Sequence, residues 1–181
     1  MENVKHAFGL IRLWAFAFLV VFILFSCGPT ARFDYESTTD FSAYKTYNWI
    51  NSLESGLNDF DNRRVRRITD SLLQSRGYTQ SSSPDFIINF YANEVIVPPN
   101  QFGIGIGTGG GNVAVGGGTS IPLGGNKLEQ TFTLDFVDPI KDELLWQGVM
   151  VKKYWEEATP TQKKEHYLKV LLRLMKSYPP K

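Results

Sequence analysis

A stretch of thirteen uncharged residues near the amino terminus divides this chain into two parts. Leu13 to Phe25 contains no polar side chain beyond the Trp14 indole, and it follows a short basic segment that carries Lys5 and Arg12. A basic segment followed by such an apolar run is typical of a secretory signal peptide. The alternative, a membrane-spanning helix, needs about 20 apolar residues. We therefore expect residues 1–26 to lie outside the folded domain.

The apolar run ends in Leu24-Phe25-Ser26-Cys27-Gly28. This segment resembles the bacterial lipobox, which has an aliphatic residue three positions before a Cys and a small residue just before it. The resemblance implies cleavage after Ser26 and attachment of lipid, with acyl chains such as palmitate, at Cys27. One acyl chain anchors a protein weakly, whereas two or more anchor it stably. The protein is thus expected to meet the membrane through Cys27.

The residues after Cys27 bear on location. Gly28 stands where an Asp often marks inner-membrane retention in such lipoproteins, and no acidic run follows. The resemblance therefore favours the outer membrane, with the periplasmic face preferred over the cell surface.

Charge and cysteine content exclude several classes of function. The chain has a formal net charge of +1, and removal of residues 1–26 leaves 17 basic and 17 acidic side chains in 155 residues. Nucleic acid is therefore not an expected partner, because its binding proteins usually have a basic face or a high isoelectric point. One Cys and two His are too few ligands for a Cys/His zinc site. We expect neither a metal nor a cofactor.

Alternation of apolar and polar residues predicts five strands. They are Arg32–Glu36, Tyr44–Trp49, Asp85–Val97, Glu129–Val137 and Leu144–Trp155. Phe33 and Tyr35 are expected to face inward. Asp85–Val97 has bulky residues on both faces, which indicates a central strand.

Two segments have the period of an amphipathic helix. Val65, Ile68 and Leu72 predict the first over residues 61–76, with Gly77 as its C-cap. The second is predicted from a Pro at the first helical position and a Thr-x-x-Gln capping box in residues 159–162. The second helix is expected to end before Pro179-Pro180 and to bury Leu168, Leu171, Leu172 and Met175.

The elements follow the order ββαβββα. Because each helix has a single apolar stripe, both are expected to cover one face of a mostly antiparallel sheet. The fold class is therefore predicted to be α/β (α+β), a two-layer sandwich. Residues 31–181 form its single domain, residues 27–30 are a tether, and residues 103–125 are a glycine-rich insertion.

Five segments together resemble the domain-of-unknown-function family four-one-three-six. They are Phe33-Asp34-Tyr35, D-F-S-A-Y-K-T-Y-N-W at 40–49, P-D-F-I-I-N-F at 84–90, T-L-D-F-V-D at 133–138 and L-W-Q-G at 145–148. The resemblance covers about residues 31–180, and the segment at 40–49 is the most distinctive. Members are typically small bacterial lipoproteins with no assigned activity or ligand. The resemblance therefore implies a fold and an envelope location but no functional residues.

Residues 103–125 hold eleven of the sixteen glycines and formally contain a G-x-G-x-x-G sequence. That fingerprint binds a nucleotide only where a helix follows, and no helical pattern follows here, so no nucleotide partner is expected. A flexible loop or glycine-rich hairpin is the favoured interpretation. The alternative is a contact surface for membrane or protein, formed by Ile104, Ile106, Val113 and Val115.

The other charged or aromatic residues that stand out have ordinary interpretations. Arg63, Arg64, Arg66 and Arg67 form the one dense basic cluster, and nearby Asp residues indicate a solvated helix surface. His166 is expected on the polar side of the second helix. Trp49, Trp146 and Trp155 are assigned to the core or the sheet surface, with an aromatic glycan platform as the alternative.

The sequence is compatible with two functions. The first is a non-catalytic envelope lipoprotein that binds a protein or glycan partner or serves a structural role. The second is a cell-wall or lipid hydrolase in which Asp34 and Asp135 act as an acidic pair. Because no recognisable nucleophile or metal-ligand set occurs in the sequence, the first is favoured and no catalytic residue is assigned.

Overall fold

Eight strands and two helices make up the described part of the chain. The computed structural model describes residues 31–51, 54–98, 101–102, 121–122 and 125–180. The strands are β1 (Ala31–Tyr35), β2 (Thr46–Trp49), β3 (Thr79–Gln80), β4 (Phe86–Val97), β5 (Gln101–Phe102), β6 (Ile121–Pro122), β7 (Lys127–Asp138) and β8 (Glu143–Trp155). The helices are α1 (Asp59–Gln74) and α2 (Pro160–Met175), with a short 3-10 helix at Phe41–Ala43. Each predicted strand and helix is present, and β3, β5 and β6 are additional.

Six of the strands form one mixed sheet in the order β1-β8-β7-β4-β2-β3, and β5 pairs with β6 separately. The pairs β1–β8, β8–β7 and β7–β4 are antiparallel. The pairs β4–β2 and β2–β3 are parallel. The parallel pairs arise because the connection after β2 includes α1, which returns the chain in the same direction. The predicted α+β sandwich is confirmed, with β2 as its parallel element.

One face of the sheet carries the hydrophobic core. The register aligns a row of buried side chains across four strands: Trp49, Ile88, Phe136 and Trp146. From α1, Asp70 Oδ1 accepts hydrogen bonds from the Tyr47 hydroxyl (3.1 Å) and the Trp49 indole (2.9 Å). From α2, the Tyr167 ring lies 6.3 Å from that of Phe132. Both helices therefore cover the same face.

The buried stripe of α1 differs slightly from the prediction. Val65 and Ile68 are buried as expected, but Leu73 is fully buried while Leu72 is only half-buried. Because α1 contacts α2 as well as the sheet, its buried arc extends past the row at i, i+3 and i+7.

The structure confirms the predicted start of α2 and the predicted burial of Leu171 and Met175, but not that of Leu168 and Leu172. Thr159 and Gln162 form the predicted capping box, with Pro160 as the first helical residue. Leu168 and Leu172, however, are 38% and 46% exposed. The fully buried residues are Tyr167, Val170, Leu171, Leu174 and Met175. In a leucine-rich helix, two neighbouring rows of residues have the same helical period. The row that packs on the sheet is the one that contains Tyr167, Val170 and Leu174.

Phe33 and Tyr35 face the core side of the sheet as predicted, but they are not buried. Their side chains are 36% and 46% exposed. The register with Gly148 and Trp146 places them on the core side of the sheet, but β1 is an edge strand with β8 as its one neighbour. An alternating pattern identifies the face of a side chain without showing whether another layer covers it.

The distinctive segment at 40–49 owes its shape to two carboxylates. Asp40 accepts a hydrogen bond from the Ser42 amide at the start of the 3-10 helix. Asp85 Oδ2 accepts from the amides of Lys45 (2.8 Å) and Thr46 (2.7 Å). The Lys45 and Thr46 amides and the Thr46 hydroxyl lower the pKa of Asp85. These contacts fix the start of β2 against β4.

The carboxyl-terminal residues complete the core. The Tyr178 ring is buried and lies 4.5 Å from Phe136 and 5.4 Å from Trp146. The Arg76 guanidinium donates hydrogen bonds to the carbonyl oxygens of Met175 (2.6 Å) and Tyr178 (2.8 Å). The segment after α2 is thus tied to the end of α1.

Gly148 generates a first prediction. A Cβ atom there would lie 2.5 Å from the end of the Trp146 indole and 3.1 Å from a methyl group of Leu174. We expect Gly148→Ala to lower the free energy of unfolding by roughly 1–3 kcal/mol, because a packed core resists added volume. Chemical denaturation measures this difference. Gly125→Ala is the control, since a Cβ there meets nothing within 4 Å; an equal loss in both variants would contradict the steric explanation.

Candidate functional site

Polar side chains continue the core face at one end of the sheet. The register places Glu94, Gln130 and Lys152 side by side on β4, β7 and β8. The adjacent row, one step toward the centre, is Ala92, Phe132 and Met150. The polar row therefore lies on the helix-facing side, where Gln130 is buried.

A chain of hydrogen bonds connects this row to α2. Glu94 Oε1 accepts from Gln130 Nε2 and from the Tyr154 hydroxyl, each at 2.6 Å. Gln130 Oε1 lies 2.9 Å from His166 Nε2. Gln130 Nε2 also lies 3.3 Å from the Tyr167 hydroxyl oxygen.

His166 is buried, which corrects the expectation that it lies on the helix surface. Its side chain is 4% exposed, and its ring lies 4.3 Å from that of Tyr154 and 5.3 Å from that of Tyr167. Burial, reinforced by the charges of Lys152 and Lys169, lowers the pKa of His166 to about 4. The imidazole is therefore neutral at pH 7.

One nitrogen of this imidazole has no partner. Among the described residues, three buried side-chain atoms lack a hydrogen bond: Thr69 Oγ1, Trp146 Nε1 and His166 Nδ1. Buried polar atoms are normally paired, so each exception needs an explanation. Of the three residues, His166 is the one that lines the pocket described next.

A pocket of about 390 Å³ lies between β8 and the first half of α2. Its charged lining residues are Lys127, Lys152, Lys153, Lys169 and Glu165, and its aromatic ones are Tyr154, Trp155 and His166. Lys153 pairs with Glu129 (3.1 Å), and the Lys127 ammonium lies 4.6 Å from the centre of the Trp155 ring. The lining is therefore strongly cationic on a domain whose overall formal charge is near zero.

A buried carboxylate joins the two helices next to this pocket. Asp61 of α1 is 2% exposed and forms ion pairs with Arg64 and with Lys163 of α2. The Lys163 pair spans 3.2 Å. Asn58 also donates to Asp61. Because its charge has two cationic partners, Asp61 holds the start of α2 in place over the polar row.

Three of the four clustered arginines contact neighbouring side chains. Arg64 pairs with Asp61, Arg63 lies 4.9 Å from the centre of the Phe60 ring, and Arg66 lies 5.1 Å from that of Trp49. These contacts agree with the interpretation of a helix surface.

The sheet does not bring Asp34 and Asp135 together. Both residues pair with Gln147 in the register, so Gln147 lies between them. Two strand spacings separate their backbones by roughly 10 Å. Asp135 is buried and accepts a hydrogen bond from Gln147 Nε2 (2.9 Å), and desolvation raises its pKa, whereas Asp34 is exposed.

Several predictions lie outside the described residues. They concern Ser26 and Cys27 and the contact surface of Ile104, Ile106, Val113 and Val115. Within the described part, no group of three or more His, Cys, Asp or Glu could hold a metal ion. No described helix is long and apolar enough to cross a membrane. Trp49 and Trp146 are buried as expected, and Trp155 is half-exposed at the pocket.

The residues of the polar row were missed in the sequence, although a signal for them exists. The inward positions of β4 run Phe86, Ile88, Phe90 and Ala92, and the next inward residue is Glu94. Gln130 and Lys152 continue the inward positions of β7 and β8 in the same way. Extending the alternation beyond the apolar residues therefore predicts three polar groups at one end of the core.

Comparisons with known proteins give a family and a fold. A family model described as a domain of unknown function (DUF4136) matches residues 31–180. The structure of a DUF4136 family protein from Bacteroides thetaiotaomicron aligns over 85% of this chain and 97% of its own, with a TM-score of 0.50 and 10% identity. No curated protein matches the chain in sequence.

Two further solved structures are similar. A PDZ domain protein from Parabacteroides distasonis has a TM-score of 0.54 at 14% identity; the alignment covers 83% of this chain but only 35% of that protein. A PelC dodecamer from Paraburkholderia phytofirmans has a TM-score of 0.49 at 10% identity, with coverages of 82% and 95%. At these identities the first of them shows a shared fold alone.

The buried imidazole generates a prediction about pH. At pH values more than about one unit above 6.5, the ordinary pKa of a histidine, His166 is neutral in both the folded and the unfolded chain and contributes no pH dependence. Below that pKa, the unfolded chain binds a proton that the folded chain does not bind until about pH 4. The free energy of unfolding therefore decreases as the pH is lowered through this window, by roughly 3 kcal/mol in total.

Denaturation at several pH values tests this prediction. His166→Gln retains an N–H donor near Gln130 and does not titrate, so its stability should fall less steeply between pH 6.5 and 4. Carboxylates titrate in both proteins, and the difference between the two curves isolates His166. Parallel curves would show that the imidazole is not protected from protonation.

Proposed function

The chain belongs to the DUF4136 family of domains of unknown function, and we propose that it is a lipid-anchored, non-catalytic binding module of the bacterial envelope. Its ligand site is the pocket between α2 and β8. The observation that carries this assignment is that His166 lines the pocket and that its buried Nδ1 has no hydrogen-bond partner among the described residues. A buried polar atom without a hydrogen-bond partner destabilises the folded protein. A ligand that supplies the missing hydrogen bond removes this destabilisation.

The amino-terminal sequence supports the anchor. Cys27 is the one cysteine of the chain and stands directly after the apolar run and Ser26. A thiol at that position is the nucleophile that lipid attachment requires. Gly28 supports placement at the outer membrane, and the lack of an acidic run directly after Cys27 supports its periplasmic face.

The acidic-pair hydrolase is the weaker candidate. Asp34 and Asp135 are separated by Gln147, and Asp135 is already hydrogen-bonded to it. Two strand spacings are wider than the separation of about 5–5.5 Å between the carboxyl groups of retaining glycosidases. Inverting glycosidases hold these groups about 6.5–9.5 Å apart with room for a water between them, whereas here Gln147 lies between the two residues. The residues described as lining the α2–β8 pocket include no Ser, Thr or Cys that could act as a nucleophile. Binding thus fits the arrangement better than hydrolysis.

The anchor is tested by the intact mass of the protein isolated from membranes. We expect the mass of a chain that begins at Cys27 and carries acyl groups. Cys27→Ala should keep residues 1–26 and lack acyl groups, because the acceptor thiol is absent. Ser26→Ala is the matched control, since it keeps a small residue before Cys27 and should be processed normally.

Two results would contradict the proposal. An unmodified Cys27 thiol in a chain that retains Met1 would remove the anchor. Digestion of the protein by protease added to intact cells would show that it lies on the cell surface and not on the periplasmic face.

A further inference from the structure

We infer that the ligand of the α2–β8 pocket is an anion that also carries a hydroxyl group, such as a sugar acid or a sugar phosphate. The hydroxyl donates a hydrogen bond to His166 Nδ1, and the lysines hold the negative charge. This inference rests on the proposed binding function and adds to it the chemical class of the ligand.

The hydroxyl follows from the hydrogen-bond chain behind the imidazole. A carboxylate is an acceptor only, so the contact with Glu94 identifies the Gln130 atom beside it as the amide nitrogen. Gln130 therefore presents its oxygen to His166 Nε2, which must carry the proton. In a neutral imidazole the other nitrogen is then an acceptor. The missing partner of Nδ1 is consequently a donor.

The anion follows from the lining charges. Four lysines and one glutamate line the pocket. Among the described residues, Lys153 and Lys169 have carboxylate partners, the latter at 3.9 Å from Glu165, whereas no ion pair involves Lys152. Lys152 is half-buried and lies in the polar row beside Gln130, and its charge contributes to the lowered pKa of His166. A charge in such a partly closed site is screened less by salt than one on an open surface.

The size of the site suits a small ligand or a small group of a larger one. A volume of about 390 Å³ lies near the lower end of the range for small-molecule sites, about 300–1,000 Å³. A single sugar ring with one charged group fits this volume. His166 Nδ1 is closed to water in the structure, so binding includes a small movement of a side chain at the pocket rim.

Imidazole 15N NMR of the acylated protein, which begins at Cys27, in detergent tests the inference directly. His6 is removed with residues 1–26, so His166 is the one remaining histidine of the sequence, and His166→Gln verifies that the signal belongs to it. The free protein should show Nε2 protonated and Nδ1 unprotonated. Glucuronate should shift the Nδ1 resonance saturably, and glucose 6-phosphate distinguishes a phosphate from a carboxylate as the preferred anion.

Matched compounds separate the two parts of the ligand. Glucose has the hydroxyls without the charge, and cyclohexanecarboxylate has the charge without the hydroxyls. We expect each to bind at least about tenfold more weakly than the better of the two hydroxylated anions. Lys152→Gln should weaken that anion about tenfold, whereas Lys164→Gln, an exposed lysine of α2 outside the pocket lining, should leave its affinity unchanged.

Each failure has its own meaning. If glucose binds as well as the anions, the charge is not recognised; if cyclohexanecarboxylate does, the hydroxyl is not. Either result overturns the inference while the pocket remains a binding site. A proton on Nδ1 in the free protein also overturns it. If none of the four compounds binds, both the inference and the assigned pocket fall, and the mass at Cys27 still decides the anchor separately.

Discussion

The hydrogen bond between Gln130 and His166 is the interaction on which the candidate site depends. Gln130 is a buried amide at the edge of an apolar core, so its donor and its acceptor both need partners. Glu94 satisfies the donor and His166 satisfies the acceptor. Because the amide can be oriented in only one way between these groups, the protonated nitrogen of the imidazole is determined by the sheet and not by solvent.

A nearly neutral domain holds a cationic pocket because lysines of β8 and α2 line the same site. Packing of α2 over the polar row brings Gln162, Glu165 and Lys169 above β8, whose Lys152 and Lys153 lie below. Asp61 stabilises this arrangement by pairing with Lys163 at the start of α2. Glu165 is the one acidic residue among the described lining residues, so the pocket is more positive than the near-zero total charge indicates.

The fold was more predictable from the sequence than the site. Alternation in Phe86–Val97 and Glu129–Val137 identifies central strands because their core faces are apolar over many residues. The capping box at Thr159 places the start of α2 to the residue. The stripe of α2 could not be chosen by period alone, since a row through Leu168 and Leu172 fits a helix as well as the buried row through Val170 and Leu174.

His166 shows why that choice matters for function. It precedes Val170 and Leu174 by four and eight residues and so belongs to the buried row of α2. With the stripe displaced toward Leu168 and Leu172, the same histidine falls on the polar side. Its neighbours Gln130 and Tyr154, and Glu94, which accepts hydrogen bonds from both of them, come from three different strands. Their meeting depends on a register that local sequence does not encode.

The low basicity of His166 separates binding from catalysis. A general base works best when its pKa lies near the working pH, and burial, with Lys152 and Lys169, lowers this one to about 4. An imidazole that resists protonation is a poor proton acceptor in a reaction at neutral pH, but its lone pair still accepts a hydrogen bond. The lysines that depress its pKa also attract an anion. The charges that weaken His166 as a base are therefore the charges that suit it to recognise a hydroxyl on a negatively charged ligand.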